Sequence, residues 1–361
     1  MLINNDEIKL YPSNWLYNAG VMGFLQCLDR NDYLNSYNNS QRYNMEVNVI
    51  HLNKDIFEFI NVPENYFKNG KVVNLAGKNQ YYPNFLAAAG TQNDLFKTYI
   101  NRLSHDLYEN NCSLCYDGKY IPDADNDEKL KEFFLKIENF DRYHNILLGP
   151  SGKFPNAYWN NNSKTKICHL CAFIIIHQHL AFTKLADGSE IFINAPSFKV
   201  MYELNKIVKE MFGKETTGNQ KREILAMSVI EYARRVQTTL GQWAAMNIEI
   251  VMKSGNIIDF YILPYETIQL ISDRKIAALL SDIGEFSILN AVLDGKEKEL
   301  LDLAYHFIQI SFKGEKNKGD QKFINDFLKR YKNKIRLNST AQKILNLYAT
   351  IKERRNVYAR Q

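Results

Sequence analysis

The chain has 361 residues, of which 45% are hydrophobic, and this composition is typical of a globular protein with room for two or three cores rather than of a disordered one. Its first ten residues include Asp6, Glu7 and Lys9, which argues against a secretory signal peptide. Apolar runs such as 172–176 are far shorter than the roughly 18 residues that span a bilayer. We therefore expect a soluble, cytoplasmic protein that makes no contact with a membrane.

The formal net charge of +5 is unevenly distributed along the chain. Residues 311–361 hold 14 Lys or Arg and 4 Asp or Glu, a balance of +10, so the other 310 residues sum to −5. A basic region of this kind suits a nucleic acid, because neutralised phosphates release counterions, and it equally suits the solvated face of ordinary helices. The candidate phosphate contacts are five cationic residues within an eight-residue stretch: Lys329, Arg330, Lys332, Lys334 and Arg336.

Helices and one strand are predicted at the N-terminal end of the chain. Apolar residues recur at helical spacing over 14–28, where Gly20 and Gly23 indicate close packing against a neighbouring element. Alternating apolar residues predict a strand over 46–52, and helical spacing returns over 84–109.

The centre of the chain mixes helices with strands. A helix is predicted over 127–140 and a loop, rich in Gly, Pro and Asn, over 149–162. Two apolar runs, 247–252 and 257–263, flank Ser254-Gly255-Asn256 and predict a β-hairpin. The other central elements predicted are a strand over 190–193 and helices over 199–211 and 222–243.

From residue 267 onward the sequence predicts one helix after another. One of them covers 322–336. The last is predicted to begin at a Ser339 cap. Its predicted inner face carries Ile344, Leu345, Tyr348 and Ile351.

Four of the five cysteines form two Cys-x-x-Cys pairs, Cys112–Cys115 (the first knuckle) and Cys168–Cys171 (the second knuckle). Zinc accepts four thiolates in a tetrahedron with bonds of about 2.3 Å, and such a filled coordination sphere is structural because no position remains for a reactive water. Binding energies of roughly 10 kcal/mol let zinc join segments that share little apolar surface. The pairs therefore predict one structural zinc ion.

Some features of the cysteines leave alternatives open. The 52 residues between the knuckles exceed the roughly 15–20 of a compact zinc ribbon. Disulfides or free thiols, an iron site, and a site that recruits a histidine are the other interpretations, although disulfides suit a cytosolic chain badly. Cys27 stands alone in an apolar helix and is most simply a small buried hydrophobe.

Together these elements predict an α+β fold, in which a mixed N-terminal and central region carries an inserted zinc-knuckle lobe and is followed by a mainly helical C-terminal region. The predicted regions are an N-terminal α+β region at 1–110, the zinc-knuckle lobe at 111–180, a central α+β region with the hairpin at 181–266, and a basic helical region at 267–361.

Three histidines form the one cluster that suggests catalysis. His169 lies inside the second knuckle, and His177 and His179 follow it closely. A catalytic zinc keeps an open position, whereas four thiolates would close the sphere, and no nucleotide-binding loop or hydrolase motif occurs elsewhere. We expect a protein that is not an enzyme. A metal-dependent nuclease or nucleotide-processing enzyme is the alternative, and a zinc-stapled protein-binding scaffold is a third.

Three segments together carry a family resemblance. They are Asn14-Trp15-Leu16-Tyr17-Asn18-Ala19-Gly20; Gly149-Pro150-Ser151-Gly152-Lys153-Phe154-Pro155-Asn156 with Tyr158-Trp159-Asn160; and the knuckles, which end in Cys168-His169-Leu170-Cys171. In this order, over roughly the first half of the chain, they resemble the large subunit of type I-B CRISPR surveillance (Cascade) complexes, in the branch marked by two Cys-x-x-Cys pairs.

The resemblance implies a DNA-binding subunit of an antiviral defence complex. Such a subunit helps recognise the protospacer-adjacent motif, opens the duplex and recruits the helicase-nuclease that cuts it, while the guide RNA reads the remaining sequence. The implied partners are other Cascade subunits, crRNA, target double-stranded DNA and the helicase-nuclease. Lys153 and Asn156 are candidate DNA contacts, whereas Trp159 is more simply an anchor of the lobe.

Overall fold

The computed structural model describes residues 7–30, 43–45, 49–53, 91–103, 107–112, 114–115, 118–122, 127–140, 165–212, 218–235, 248–254, 257–313, 315–327 and 337–358. These residues form the predicted α+β fold with a helical C-terminal region. None of the described helices is both long and apolar enough to cross a bilayer.

The described residues belong to two compact units. The first unit lies within Met1–Asn205, Gly213–Gly218 and Ile250–Phe260. The second unit lies within Lys206–Phe212, Asn219–Glu249 and Tyr261–Gln361.

The described strands are short and form small sheets. They are β1 (Glu7–Leu10), β2 (Tyr43–Met45), β3 (Ile50–Asn53), β4 (Tyr108–Asn110), β5 (Gly118–Tyr120), β6 (Asn139–Phe140), β7 (Thr165–Lys166), β8 (Thr183–Lys184), β9 (Glu190–Asn194), β10 (Glu249–Ser254) and β11 (Ile257–Ile262). One sheet has the order β1-β3-β2 and another the order β11-β10-β9-β8, while β4 pairs with β5 and β6 with β7. The neighbouring β10 and β11 confirm the two strands of the predicted hairpin, and β9 confirms the strand predicted over 190–193.

Seven α-helices precede the C-terminal region among the described residues. They are α1 (Trp15–Arg30), α2 (Thr91–Leu103), α3 (Glu128–Glu138), α4 (His169–Ile175), α5 (Gln178–Ala181), α6 (Phe198–Phe212) and α7 (Lys221–Arg235). The helices predicted over 14–28, 127–140 and 199–211 correspond to α1, α3 and α6. The helix predicted over 222–243 is present as far as Arg235, and 236–247 lie outside the described residues.

Close packing of α1 against α4 and α5 confirms the role predicted for its two glycines. The side chain of Asn14 caps α1 by accepting a hydrogen bond from the Tyr17 amide at 2.9 Å. A Cβ atom on Gly20 would lie 2.7 Å from the Ile174 carbonyl oxygen, and one on Gly23 would lie 1.9 Å from the His177 carbonyl oxygen. Only glycine permits so close an approach of two helix backbones.

Two N-terminal predictions differ from the structure at their ends. The predicted helix over 84–109 ends at Leu103 in α2, and the chain then forms β4, while 84–90 lie outside the described residues. The reason is a pairing that local periodicity does not encode, since Tyr108 of β4 lies opposite Tyr120 of β5 and stacks on its ring. The strand predicted over 46–52 is observed from Ile50, and 46–48 are not described.

The C-terminal region is a succession of helices, as predicted. They are α8 (Tyr265–Ile271), α9 (Arg274–Ile283), α10 (Phe286–Leu293), α11 (Glu297–Phe312), α12 (Lys318–Phe327) and α13 (Leu337–Tyr358). The helix predicted over 322–336 begins four residues earlier, at Lys318, and 328–336 are not described.

The last helix corrects the predicted cap. Helix α13 already begins at Leu337, which is buried, so Ser339 lies inside its first turn and does not cap it. Ile344 and Ile351 are buried as predicted, and Leu345 and Tyr348 are half-buried. Ala341 and Leu347 complete the buried face.

Candidate metal centre

The first knuckle lies in the turn between β4 and β5. The Leu114 amide donates a hydrogen bond to Cys112 Sγ at 3.4 Å, which folds the chain back over the sulfur. Gly118 is required where the hairpin closes, because a Cβ there would lie 2.2 Å from the Asn110 carbonyl oxygen and 2.8 Å from the Cys112 Cβ. The hairpin thus holds Cys112 and Cys115 at one end of its two strands.

The second knuckle forms the N-terminus of α4. Cys168 is the N-cap of this helix, and its Sγ accepts a hydrogen bond from the Cys171 amide at 3.3 Å. The Cys168 amide donates across to Cys112 Sγ at 3.2 Å, so one hydrogen bond already links the two knuckles. Amide donors of this kind stabilise thiolates and fix the direction of their lone pairs.

The four sulfurs form a compact group in which all Sγ atoms lie within 4.8 Å of one another. The Cys112 and Cys171 sulfurs are 3.7 Å apart, and the Cys115 and Cys168 sulfurs are 3.8 Å apart. A regular tetrahedron with metal–sulfur bonds of about 2.3 Å has edges of about 3.8 Å, whereas a disulfide bond is about 2.05 Å long. The cysteines are therefore free thiols in an arrangement that can hold a metal ion.

The four thiols lie close together in a largely buried site, and this shifts the pKa values of Cys112, Cys168 and Cys171. Burial raises the pKa of the Cys168 and Cys171 thiols, whereas hydrogen bonds from Cys115 and the other two thiols lower the pKa of Cys112. Burial followed by the charges of the thiols also raises the pKa of the Tyr17 phenol on α1. A divalent cation would relieve this crowding, because it stabilises the deprotonated form of every sulfur.

The histidine inside the second knuckle faces away from the sulfurs. His169 is 1% exposed, and its Nδ1 accepts a hydrogen bond from the Ile121 amide at 2.7 Å. Its Nε2 lies 3.1 Å from Glu138 Oε1. Over the part of the chain that the structure describes, the group able to hold a metal contains the four cysteines and no histidine.

The other two histidines belong to the core and to a helix end. The His177 ring is fully buried and makes edge contacts with Phe24 and Phe173, at centroid distances of 5.1 Å and 4.9 Å. Burial lowers the pKa of His177 to about 3, so the ring is neutral near pH 7. The His179 Nδ1 lies 3.1 Å from the Ile176 carbonyl oxygen.

The structure does not describe the residues that are predicted to contact nucleic acid. Lys153, Asn156 and Trp159 lie outside the described residues, as does the segment 328–336 with all five candidate phosphate contacts. The side chain of Cys27 is likewise not described.

Several other cations of the basic region contact acidic residues in the second unit. Lys352 Nζ and Arg355 Nε bind the two oxygens of Glu297 at 2.8 Å and 2.5 Å, and Arg354 Nε lies 2.8 Å from Asp273 Oδ2. Glu297 and Asp273 precede residue 311, so counting charge over the C-terminal window alone missed these partners. Ion pairs between helices account for part of the positive charge.

Comparisons with protein-family models, curated proteins and solved structures find no match to the chain.

Proposed function

We propose that the four cysteines hold one structural zinc ion. The observation that carries this proposal is the pair of sulfur–sulfur distances between the knuckles, 3.7 Å and 3.8 Å, which equal the edge of a zinc–thiolate tetrahedron. A donor set of four sulfurs favours zinc or iron over harder cations, and the amide–sulfur hydrogen bonds supply the outer shell that such sites require.

The residues of this chain determine what such an ion would join. The first knuckle belongs to the β4–β5 hairpin, and the second is the start of α4, against which α1 packs. The zinc would stabilise the fold and would not take part in catalysis, because four thiolates fill its coordination sphere. The centre would therefore fix the hairpin to the helical core of the first unit.

Elemental analysis of the purified full-length protein tests the metal. We expect close to one zinc per chain, lost in Cys112→Ser and retained in Cys27→Ser, the matched control with one cysteine removed outside the knuckles. Iron in place of zinc would give visible thiolate-to-iron absorption and would reject zinc as the native ion. Absence of any metal, combined with an intact fold, would reject the centre.

We further propose that the protein is the DNA-binding large subunit of a type I-B Cascade complex, and that it helps recognise the protospacer-adjacent motif, open the duplex and recruit the helicase-nuclease. The support is the sequence resemblance, carried by three segments in order. Two of those segments lie side by side in the first unit, since Gly20 of the N-terminal segment meets Ile174 of the helix that the second knuckle begins. The basic segment 328–336 would supply phosphate contacts.

Association and motif dependence test this role. The protein, expressed with crRNA and backbone subunits of a type I-B system, should co-purify with them, and the complex should shift duplexes in a way that depends on the flanking motif. Reversing the charges at Lys329, Arg330 and Lys332 should weaken binding of all duplexes and reduce its salt dependence. The absence of both association and motif dependence would reject the proposal. Metal-dependent cleavage of DNA or RNA by the isolated chain would favour the nuclease alternative.

A further inference from the structure

We infer that His169 is a positioning residue that joins the two knuckles without ligating the metal, and that this link slows metal release. The inference rests on the proposed metal centre. It concerns a residue that sits between two cysteine ligands in sequence, Cys168 and Cys171, and yet directs both ring nitrogens elsewhere.

The first link runs from the second knuckle to the hairpin of the first knuckle. Ile121 follows β5 directly and is 2% exposed, and its amide donates to His169 Nδ1 at 2.7 Å. Since a buried amide without a partner is strongly unfavourable, this bond fixes where the hairpin meets α4. It spans 48 positions of sequence and does not pass through the metal.

The second link runs to the end of α3. Because Nδ1 accepts a hydrogen bond, the neutral ring carries its proton on Nε2, the atom that lies 3.1 Å from Glu138 Oε1. These two atoms are close enough to attract each other, although no hydrogen bond joins them. The Glu138 carbonyl oxygen also accepts a hydrogen bond from the Ile167 amide at 2.9 Å, one residue before Cys168.

Aromatic rings close the remaining sides of His169. The rings of Phe134, Tyr120 and Tyr99 lie at centroid distances of 4.8 Å, 5.4 Å and 6.1 Å from the imidazole. The Tyr99 hydroxyl donates a hydrogen bond to the His169 carbonyl oxygen. Helices α2 and α3 and the hairpin thus all contact one residue of the second knuckle.

These contacts hold the thiol cage, the group of four knuckle sulfurs, together in addition to the metal. For the metal to leave, the knuckles must first separate, and the His169 contacts oppose that separation. Removing the His169 links should therefore loosen the cage even though all four sulfurs remain.

The test measures metal transfer from the full-length protein, loaded with Zn(II) or Co(II), to a chromogenic chelator. His169→Leu removes the acceptor for the Ile121 amide, and we expect release to be about 10- to 100-fold faster than in wild type. His169→Asn places an amide oxygen near the position of Nδ1, and release should return most of the way to the wild-type rate.

The matched control is His177→Leu, which removes an equally buried histidine of the first unit, eight positions further along the chain. It should lower the melting temperature and leave the release rate unchanged. Release from His169→Leu at the wild-type rate, or equal acceleration in His177→Leu, would overturn the inference.

If His169→Leu does not fold, Tyr99→Phe replaces it as the informative variant, because it removes only the hydroxyl that binds the His169 carbonyl oxygen. Metal release from Tyr99→Phe should then be faster than from wild type, and an unchanged release rate would count against the link. A wild-type protein that binds neither Zn(II) nor Co(II) gives a different result, which rejects the metal centre itself. Loss of the Cascade role leaves this test unaffected.

Discussion

The knuckles and the C-terminal helices are stabilised by different kinds of contact. At the knuckles, single polar contacts join residues far apart in sequence, such as the hydrogen bond from the Cys168 amide to Cys112 Sγ. In the C-terminal helices, apolar faces repeat every three or four residues, and ion pairs such as Lys352–Glu297 join their outer sides. A single substitution should therefore have a large effect on stability at the knuckles and a small one in the C-terminal helices, where many similar contacts contribute.

Loss of a knuckle cysteine should have the largest effect. Cys171→Ser, or removal of the metal by a chelator, should unfold the metal-centre part of the first unit, since the proposed structural zinc would contribute on the order of 10 kcal/mol, about as much as the whole stability of a domain. Amide hydrogen exchange should show lost protection at 107–122 and 165–181, with protection retained in α9, α11 and α13. A Cys171→Ser protein with unchanged exchange and melting temperature would contradict the structural role of the site.

Gly23→Ala tests the helix contact beside the metal centre. The new Cβ would lie 1.9 Å from the His177 carbonyl oxygen, so the helices must separate, and we expect a loss of about 3 kcal/mol or more in the free energy of unfolding. Gly319→Ala in α12 is the control, because its nearest neighbour is the side-chain oxygen of Asn317 at 3.2 Å. There the higher helix propensity of alanine should leave stability equal or slightly increased. Equal denaturant midpoints for both variants would contradict the close packing.

Acid should destabilise the core around His177. Burial lowers the pKa of His177 to about 3 in the folded state, whereas an unfolded histidine titrates near 6.5. The unfolded state therefore binds more protons between these two pH values. Stability therefore falls as the pH drops below about 6.5, by about 2 kcal/mol at pH 5 from this residue alone. His177→Gln should be less stable at pH 7.5 and should lose less on acidification. A parallel pH dependence in urea titrations of the two proteins would refute this account.

The Glu297 ion pairs should give the smallest of these effects. Glu297 is 6% exposed and binds Lys352 and Arg355, whose side chains are half exposed, so Glu297→Gln should cost about 1–2 kcal/mol. Glu299→Gln is the control, since its contact with Lys296 is exposed on both sides and should contribute at most about 0.5 kcal/mol. Thermal melts at low and high salt measure both, and the difference between the variants should shrink as salt rises. Equal effects of the two substitutions would contradict the importance of the buried carboxylate.

Helical periodicity and cysteine spacing were the parts of the structure that sequence could predict. The buried positions of Ile344 and Ile351 in α13 could be predicted because an apolar helix face follows from the spacing of nearby residues. The two glycines of α1 likewise indicated a close contact. The pairing of the knuckles followed from the chemistry of their ligands. The helix end at Leu103 was missed because it depends on the tertiary pairing of β4 with β5. The start of α13 at Leu337 was missed because the local signals for a helix end are weak.

The surroundings of the candidate site could not be predicted. His169 meets Tyr99 and Ile121 across separations of 70 and 48 residues, and no pattern in the sequence ties these three together. Glu138 stands among ordinary helix residues and carries no motif. Likewise, the charge excess after residue 311 gave no indication that Glu297 would take up two of its cations.

The long interval between the two cysteine pairs has a consequence for how this chain can change. Closing a loop of 52 residues instead of about 18 costs only about 1 kcal/mol of extra chain entropy, because that cost grows with the logarithm of length. The proposed zinc would contribute several times that amount, so it would offset the cost of the longer interval while the two knuckles fix both of its ends. Residues can therefore be added to or removed from this interval while the surrounding architecture persists, provided that β5, Ile121, α3, β6 and β7 stay in place.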